Sequence, residues 1–397
     1  MRALVIAPQP FFSPRGTPFS VYYRTMILSE LGVEIDLLTY GEGQDVDIPG
    51  VRILRIPRFK LLGRVKTGPS MLKLFLDFFL LVRTIACLIR NRYDFVHAHE
   101  EAIFFCRYLK PIFRYKLIYD MHSSLPQQLD NFDFTSSKII KKIFRWQEDV
   151  AIARSDAIIT ICPDLANYVD DILGESNKHL LIENSIFEPV QLVVRSDGQI
   201  PTRGASTMAP KVDRLSSSKK LVVYAGTLEH YQGIEILLNS FPHVVEKCQD
   251  AYLLIIGGTD DQVKHYREIA CNLGLEDSVW FTGRVPQSEV LHCLEKASVL
   301  VSPRSEGTNT PLKIYQQLAS GKPLVATNIY SHTQVLNDEV SILVDPDGAS
   351  MAGGLLKALT DGVAAKSVSA NAQKLYNEKY SRSTYVSKMR QLLRILD

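Results

Sequence analysis

The sequence predicts an α/β protein made of two doubly wound parallel-sheet domains facing each other across a cleft. Three observations predict it. Short apolar runs alternate with helix-period segments along most of the chain, the pattern of strand–helix–strand crossovers buried on both faces. The alternation dissolves between Ile186 and Lys220, with Ser, Thr, Gly, Pro and charge dominating from Arg195 to Lys220, and then restarts. Several runs stop at Gly- or Pro-containing loops that open into helices, as at Ala225-Gly226 and Ser302-Pro303.

In chain order, Arg2–Ala7 is a first strand, too short an apolar run for a signal peptide. Pro8 to Pro18 suits only a loop. Phe19 to Leu31 is helical, closed by Gly32, and Val33–Thr39 and Val51–Ile56 are strands. Leu72 to Ile89 is strongly apolar but interrupted by Lys73, Asp77 and Arg83, which argues against a membrane span. Two readings stand there. One is a largely buried helix; the other, drawn from upstream Arg55, Arg58, Lys60, Arg64 and Lys66, is docking on an anionic membrane surface. Strands follow at Phe95–His99, Lys116–Asp120, Ala157–Cys162 and Leu180–Asn184, with helices at Trp146–Arg154 and from Pro163.

The second half repeats the scheme. Strands are expected at Leu221–Ala225, Ala251–Ile256, Ser278–Thr282, Ser298–Ser302, Leu324–Thr327 and Ile342–Val344, with helices between them. The domain expectation is therefore 1–187, a linker and loop 188–220, a second domain 221–380, and a basic amphipathic helix over 381–397 that packs back on the first domain. A net charge of +2 does not argue for nucleic acid. The six cysteines are far apart, with no C-x-x-C pair, and fit a reducing compartment.

The stretch from Ser302 to Lys313 leaves a strand as a loop and runs into an apolar-periodic helix that Gly321 and Pro323 close. Unpaired backbone N–H groups and the helix dipole favour an anion there. Arg304 and Lys313 flank it, and lysine at a helix start is unfavourable without an anion. This stretch reads as a seat for a phosphate or diphosphate, with the N–H groups from Asn309 and Thr310 to Leu312 contributing.

Gly226 to Gly233, Phe281 to Pro286, the loop after Ser302 and Leu318 to Thr327 together resemble the second domain of retaining GT-B glycosyltransferases of family 4, the glycosyltransferase group 1 type. The first half resembles it at Gly16, Asp94–His99, Asp120–His122 and Asp156–Thr160. The resemblance covers essentially the whole chain. It implies two Rossmann-like domains, a nucleotide-sugar donor on the second and an acceptor on the first. It also implies transfer of a sugar to a glycan or lipid-linked acceptor with retention, without a metal or other cofactor, in the cytoplasm or at the inner face of the cell membrane.

Carried onto this chain, the resemblance implies catalytic roles for His122, Glu306 and Lys313. Gly16, Gly226, Thr227, Gln232, Arg284, Arg304, Asn309, Thr310, Leu312 and Gln316 would line the donor site. Three departures stand out. The family's Arg and Lys on the first loop fall on Thr227 and Gln232. Its two glutamates fall on Thr308 and Gln316, with Glu306 two positions off. His97 and His99 share a strand face, but no third metal ligand is evident from the sequence. A noncatalytic GT-B protein that binds nucleotide sugar or glycan, and a phosphosugar or epimerase enzyme on the same fold, stand as competing readings.

Overall fold

In the computed structural model the described residues are 1–13, 16–59, 70–124, 138–174, 176–184, 187, 190 and 208–397. They fall into two units, Met1–Val194 with Arg382–Asp397, and Arg195–Ser381.

The first unit carries strands β1 (Arg2–Ala7), β2 (Glu34–Thr39), β3 (Val51–Arg55), β4 (Phe95–His99), β5 (Lys116–Met121), β6 (Ala157–Thr160) and β7 (His179–Leu181). They pair in parallel in the order β3-β2-β1-β4-β5-β6-β7. Its helices are α1 (Gly16–Glu30), α2 (Met71–Arg90), α3 (Ala102–Phe113), α4 (Lys138–Arg154) and α5 (Pro163–Leu173). Alternate residues of β1 feed opposite cores. Ala3, Val5 and Ala7 pack with α1, while Leu4 and Ile6 pack with α2, α3, α4 and α5.

The second unit opens with α6 (Ala209–Ser218) and holds β8 (Lys220–Ala225), β9 (Ala251–Ile256), β10 (Val279–Phe281), β11 (Val299–Ser302), β12 (Leu324–Thr327) and β13 (Ile342–Val344). These pair in parallel as β10-β9-β8-β11-β12-β13. Helices α7 (Ile234–Lys247), α8 (Asp260–Asn272), α9 (Gln287–Lys296), α10 (Leu312–Ala319), α11 (Tyr330–Thr333), α12 (Gly348–Thr360) and α13 (Gly362–Leu375) cover both faces. In each sheet the strand order reverses once, between β1 and β4 and between β8 and β11. Those switch points are where open parallel sheets place ligands.

Several expectations need correction. Part of the expected linker, 209–218, is helix α6, anchored by buried Val212, while 188–189 and 191–207 lie outside the described residues. Helix α1 begins at Gly16 rather than Phe19, because Pro18 is tolerated in a first helical turn. Helices α3, α11 and α13 had no counterpart in the sequence reading. Helix α2 buries only one face; the other is exposed and apolar.

The last helix, α14 (Arg382–Leu396), belongs to the first unit. Tyr385, Met389, Leu392 and Leu396 enter the α1 core at helical spacing. Lys388 pairs with Glu183 at 2.7 Å, and Arg382 donates to both oxygens of Glu30. The exposed Arg382 pair contributes little, so the buried apolar stripe carries the attachment. Met389→Ala should lower the stability of this unit by about 2–5 kcal/mol, read as an earlier urea transition. Arg382→Ala should lower it by less than about 1 kcal/mol.

Candidate functional site

The loops after β8 and β11 flank the switch point of the second sheet, and one close backbone approach joins them. Gly233 has φ +70°, and a Cβ on it would stand 1.8 Å from the Pro303 carbonyl oxygen. Only glycine lets the chain pass there. The Ser305 N–H also donates to the Tyr231 carbonyl at 3.0 Å. The β11 loop is held from its other side by His332 of α11. His332 donates from Nδ1 to the Thr327 carbonyl at 2.8 Å, so its Nε2 accepts from the Ser302 hydroxyl at 3.0 Å. Burial pushes His332 down to about 4, so it is neutral near pH 7. Thr327 Oγ1 donates to the Arg304 carbonyl, and the Gln334 amide donates to that of Thr308.

This frame brings Lys313 against the β8 loop. Lys313 is the second residue of α10, after Pro311 at the N-cap. Its Nζ donates to Gln232 Oε1 at 3.0 Å and lies 4.2 Å from the Tyr224 ring centroid. A Cβ on Gly226 would come 3.6 Å from that nitrogen. No carboxylate pairs with it among the described residues. Burial, then repulsion from Arg304, lowers Lys313 to about 7. Arg304 is tied to its own loop. It donates to the carbonyls of Glu306 and Asn309 and stacks over Tyr231, 5.2 Å from the ring centroid. Two cations, neutral partners and the first N–H groups of α10 therefore converge.

The remaining donor-side candidates divide. Gln232 is buried, and its carbonyl oxygen is engaged by Lys313; Thr227 is exposed and uses its backbone carbonyl to accept from Tyr224 at 2.5 Å. Thr310 is buried with a hydroxyl lacking a partner in the described structure. Leu312 is the first residue of α10, and Gln316 lies one turn in, half-buried. The N–H groups expected from Asn309 to Leu312 lack one member, because Pro311 has none. Glu306 is exposed and engages Arg304 through its carbonyl rather than its carboxylate. Arg284 is exposed beyond Gly283, whose carbonyl accepts from the Gly257 N–H at 2.9 Å.

In the first unit, Gly16 is the exposed first residue of α1 and not a loop residue. His122 follows β5, but it lies in a buried cluster rather than on an open strand end. His99 Nδ1 and His122 Nε2 are 3.0 Å apart, and His97 Nε2 is 2.9 Å from Asp120 Oδ2. Asp120 also receives Arg24 Nε of α1 at 2.7 Å, with both side chains fully buried. Burial alone would raise Asp120, yet Arg24, His122 and His99 hold it well below the usual carboxylate range. Burial lowers His122 to about 4, so it is neutral near pH 7. Asp120 is the third ligand-type side chain beside His97 and His99 that the sequence did not reveal. Arg24 already neutralises it, so the residues present fit a metal cation poorly. Arg24 and His332 were missed because nothing in their neighbourhoods marks them; both matter only through contacts distant in sequence.

The model for glycosyl transferases of group 1 matches residues 208–375, and that for glycosyltransferase family 4 matches residues 16–186. An uncharacterized glycosyltransferase of Methanocaldococcus jannaschii is 23% identical over 296 residues, covering 73% of this chain and 72% of the relative. A phosphatidyl-myo-inositol mannosyltransferase of Mycobacterium leprae is 30% identical over 165 residues, 38% of this chain and 43% of that one. Among solved structures, Anabaena HepE in complex with UDP-glucose has a TM-score of 0.69 at 14% identity. It covers 99% of each chain.

The Gly233 approach can be tested directly. Gly233→Ala forces either the αL backbone or the Pro303 contact to yield. It should cost about 1–3 kcal/mol, measured as a drop in Tm, while Gly362→Ala, where the added Cβ meets nothing, should change Tm little.

Proposed function

This chain belongs to the GT-B glycosyltransferases of the group 1, family 4 type, and we propose that it transfers a hexose from a nucleoside-diphosphate donor with retention of anomeric configuration. The observation that carries the donor reading is the uncompensated Lys313 ammonium beside Arg304 at the start of α10. An anionic diphosphate is the partner this arrangement lacks. The donor sits on the second unit; the acceptor, a glycan or lipid-linked acceptor, is handled by the first. The UDP-glucose held by HepE and the phosphatidyl-inositol acted on by the mycobacterial relative support those classes.

In this reading the bond from the anomeric carbon to the diphosphate breaks as the acceptor oxygen bonds to the same face. The acceptor's proton passes to a departing phosphate oxygen, so no side-chain nucleophile is needed and no metal takes part. Lys313, Arg304 and the N–H groups of Leu312 and Lys313 stabilise the leaving charge by preorganised electrostatics. Gln232 positions Lys313, and so replaces a charge the family usually places on that loop. Gln316 binds ribose hydroxyls, Glu306 the sugar, and the backbone near Arg284 the base. Neutral His122 hydrogen-bonds a sugar hydroxyl, its ring set by His99 and Asp120. Gly16 leaves room for donor or acceptor at the α1 start.

A thermal-shift screen with UDP, GDP, ADP and their sugar conjugates tests the donor reading, because a ligand bound only by the folded state raises Tm. One nucleotide should shift the wild type, and Arg304→Ala with Lys313→Ala should abolish the shift. Transfer by either single variant should fall about 100–1,000-fold. No shift with any nucleotide overturns the reading; a shift without transfer to any acceptor favours the noncatalytic alternative.

The Lys313 environment also sets a pH dependence. The unliganded ammonium titrates at about 7, and a bound diphosphate raises it. Binding above pH 7 therefore takes up a proton, and affinity should fall as pH rises from 7 towards the bound value. Calorimetry at pH 8 in buffers of different ionisation enthalpy should show uptake of about one proton by the wild type, absent in Lys313→Met.

A further inference from the structure

Helix α2 is amphipathic in the inverted sense. Met71, Leu74, Phe75, Phe78, Val82 and Ile89 follow one another at offsets 0, 3, 4, 7, 11 and 18, a single stripe at helical period. All six are exposed, by 43% to 73%. The charged residues of the first turns point the other way. Lys73 Nζ meets Glu101 Oε1 at 2.7 Å, and Asp77 accepts from the Tyr40 hydroxyl at 2.5 Å. Burial, reinforced by Glu101, raises the Asp77 carboxyl to about 7. A helix that pairs the charges of its first turns inward and presents apolar side chains to water over five turns has a surface built for something other than water.

The stripe does not stand alone. Helices α2, α3 and α4 pack over the same sheet face. Exposed Tyr108 and Ile112 lie one turn apart on α3, and exposed Ile139, Ile143 and Trp146 follow at i, i+4, i+7 on α4. The sequence from Lys138 to Trp146 has four basic residues and no acid, at the helix end where positive charge is least favourable. Lys142 and Arg145 are exposed there, as are Arg90 on α2 and Arg114 just beyond α3. A second copy pairing through this face would set these basic groups against each other. An anionic lipid surface satisfies both features at once.

We infer that the outer face of α2, with α3 and α4, docks this protein in the plane of an anionic membrane surface. Among the described residues no helix is long and apolar enough to cross a membrane, so the helix lies on the surface. The N-terminal turns of α2 meet Tyr40 and Glu101, which follow β2 and β4, so the stripe starts at the carboxyl edge of the sheet. The inference extends the reading of a lipid-linked acceptor, since it brings that edge to the bilayer.

The test is flotation of the full chain with phosphatidylcholine vesicles, with or without phosphatidylglycerol, without donor. Flotation should be at least about 10-fold greater with phosphatidylglycerol and should weaken with salt. Phe75→Ser, Phe78→Ser and Val82→Ser combined should lose at least about 10-fold of it, while Tm falls only modestly through the lost Phe75 and Phe78 contacts with Phe59 and Phe79 and the variant stays folded. The inference is overturned by no flotation of the wild type, by equal flotation on both vesicle types, or by a triple variant that floats as before. Self-association in buffer that the same three changes abolish would assign the face to a second copy instead. Vesicle binding is read without nucleotide, so its failure leaves the transfer reading standing, and a failed nucleotide screen leaves this face untouched.

Discussion

The passage of Gly233 beside the Pro303 carbonyl is the constraint on which the donor-side arrangement depends. Two loops from neighbouring strands at a switch point must approach within backbone contact before their side chains can act together. A side chain at Gly233 would hold them apart. Once they meet, Gln232 reaches Lys313, Tyr224 supplies a ring beneath the ammonium, and Tyr231 supplies one beneath Arg304. The neutral His332 clamp between Ser302 and Thr327 keeps the β11 loop in that position without adding charge.

Electrostatically the two units solve opposite problems. In the first, a buried carboxylate, Asp120, is paired with Arg24 and lies against imidazoles, which places His122 in a buried, charge-balanced cluster. In the second, two cations are held by carbonyls and aromatic rings, and among the described residues no carboxylate pairs with either. Neutral partners orient a cation without cancelling it. The first arrangement resists further charge; the second attracts an anion. This contrast is why we propose the second unit as the seat of the diphosphate, although its first loop carries Thr227 and Gln232 rather than basic residues.

Helix α2 shows how a composition-level signal can point two ways until packing is known. An apolar segment carrying three charges suits a buried helix, and the sequence reading gave that weight. In the fold, the buried face faces α3 and the sheet, Lys73 and Asp77 find partners inward, and the surplus apolar residues are left outside. Leu76, Leu80 and Leu88 are buried, while Phe75 and Phe78 are exposed.

The strands were legible because a parallel strand buried on both faces must be an uninterrupted apolar run, and such runs stand out from amphipathic helices. All thirteen strands, β1 to β13, overlap an expected run; β3 was read from its alternation instead, and β7 is displaced towards its start. Helix α3 was less legible because it is apolar on most sides and carries Pro111, α11 because it is a single turn, and α13 because its apolar residues are mostly alanine. The family motifs and the loop that carries Arg304 into α10 were also readable, because loop glycines, a proline and a helix-start lysine are local features. What the sequence by itself determined is therefore the sheet, its switch points and the loop that bears the cations. Only the tertiary structure decided that Gln232 holds Lys313, that Arg24 occupies Asp120, that α6 interrupts the expected linker and that α2 turns its apolar side outward. Each of those depends on groups far apart in the chain meeting at a few ångströms, and on which face of a helix its neighbours leave uncovered.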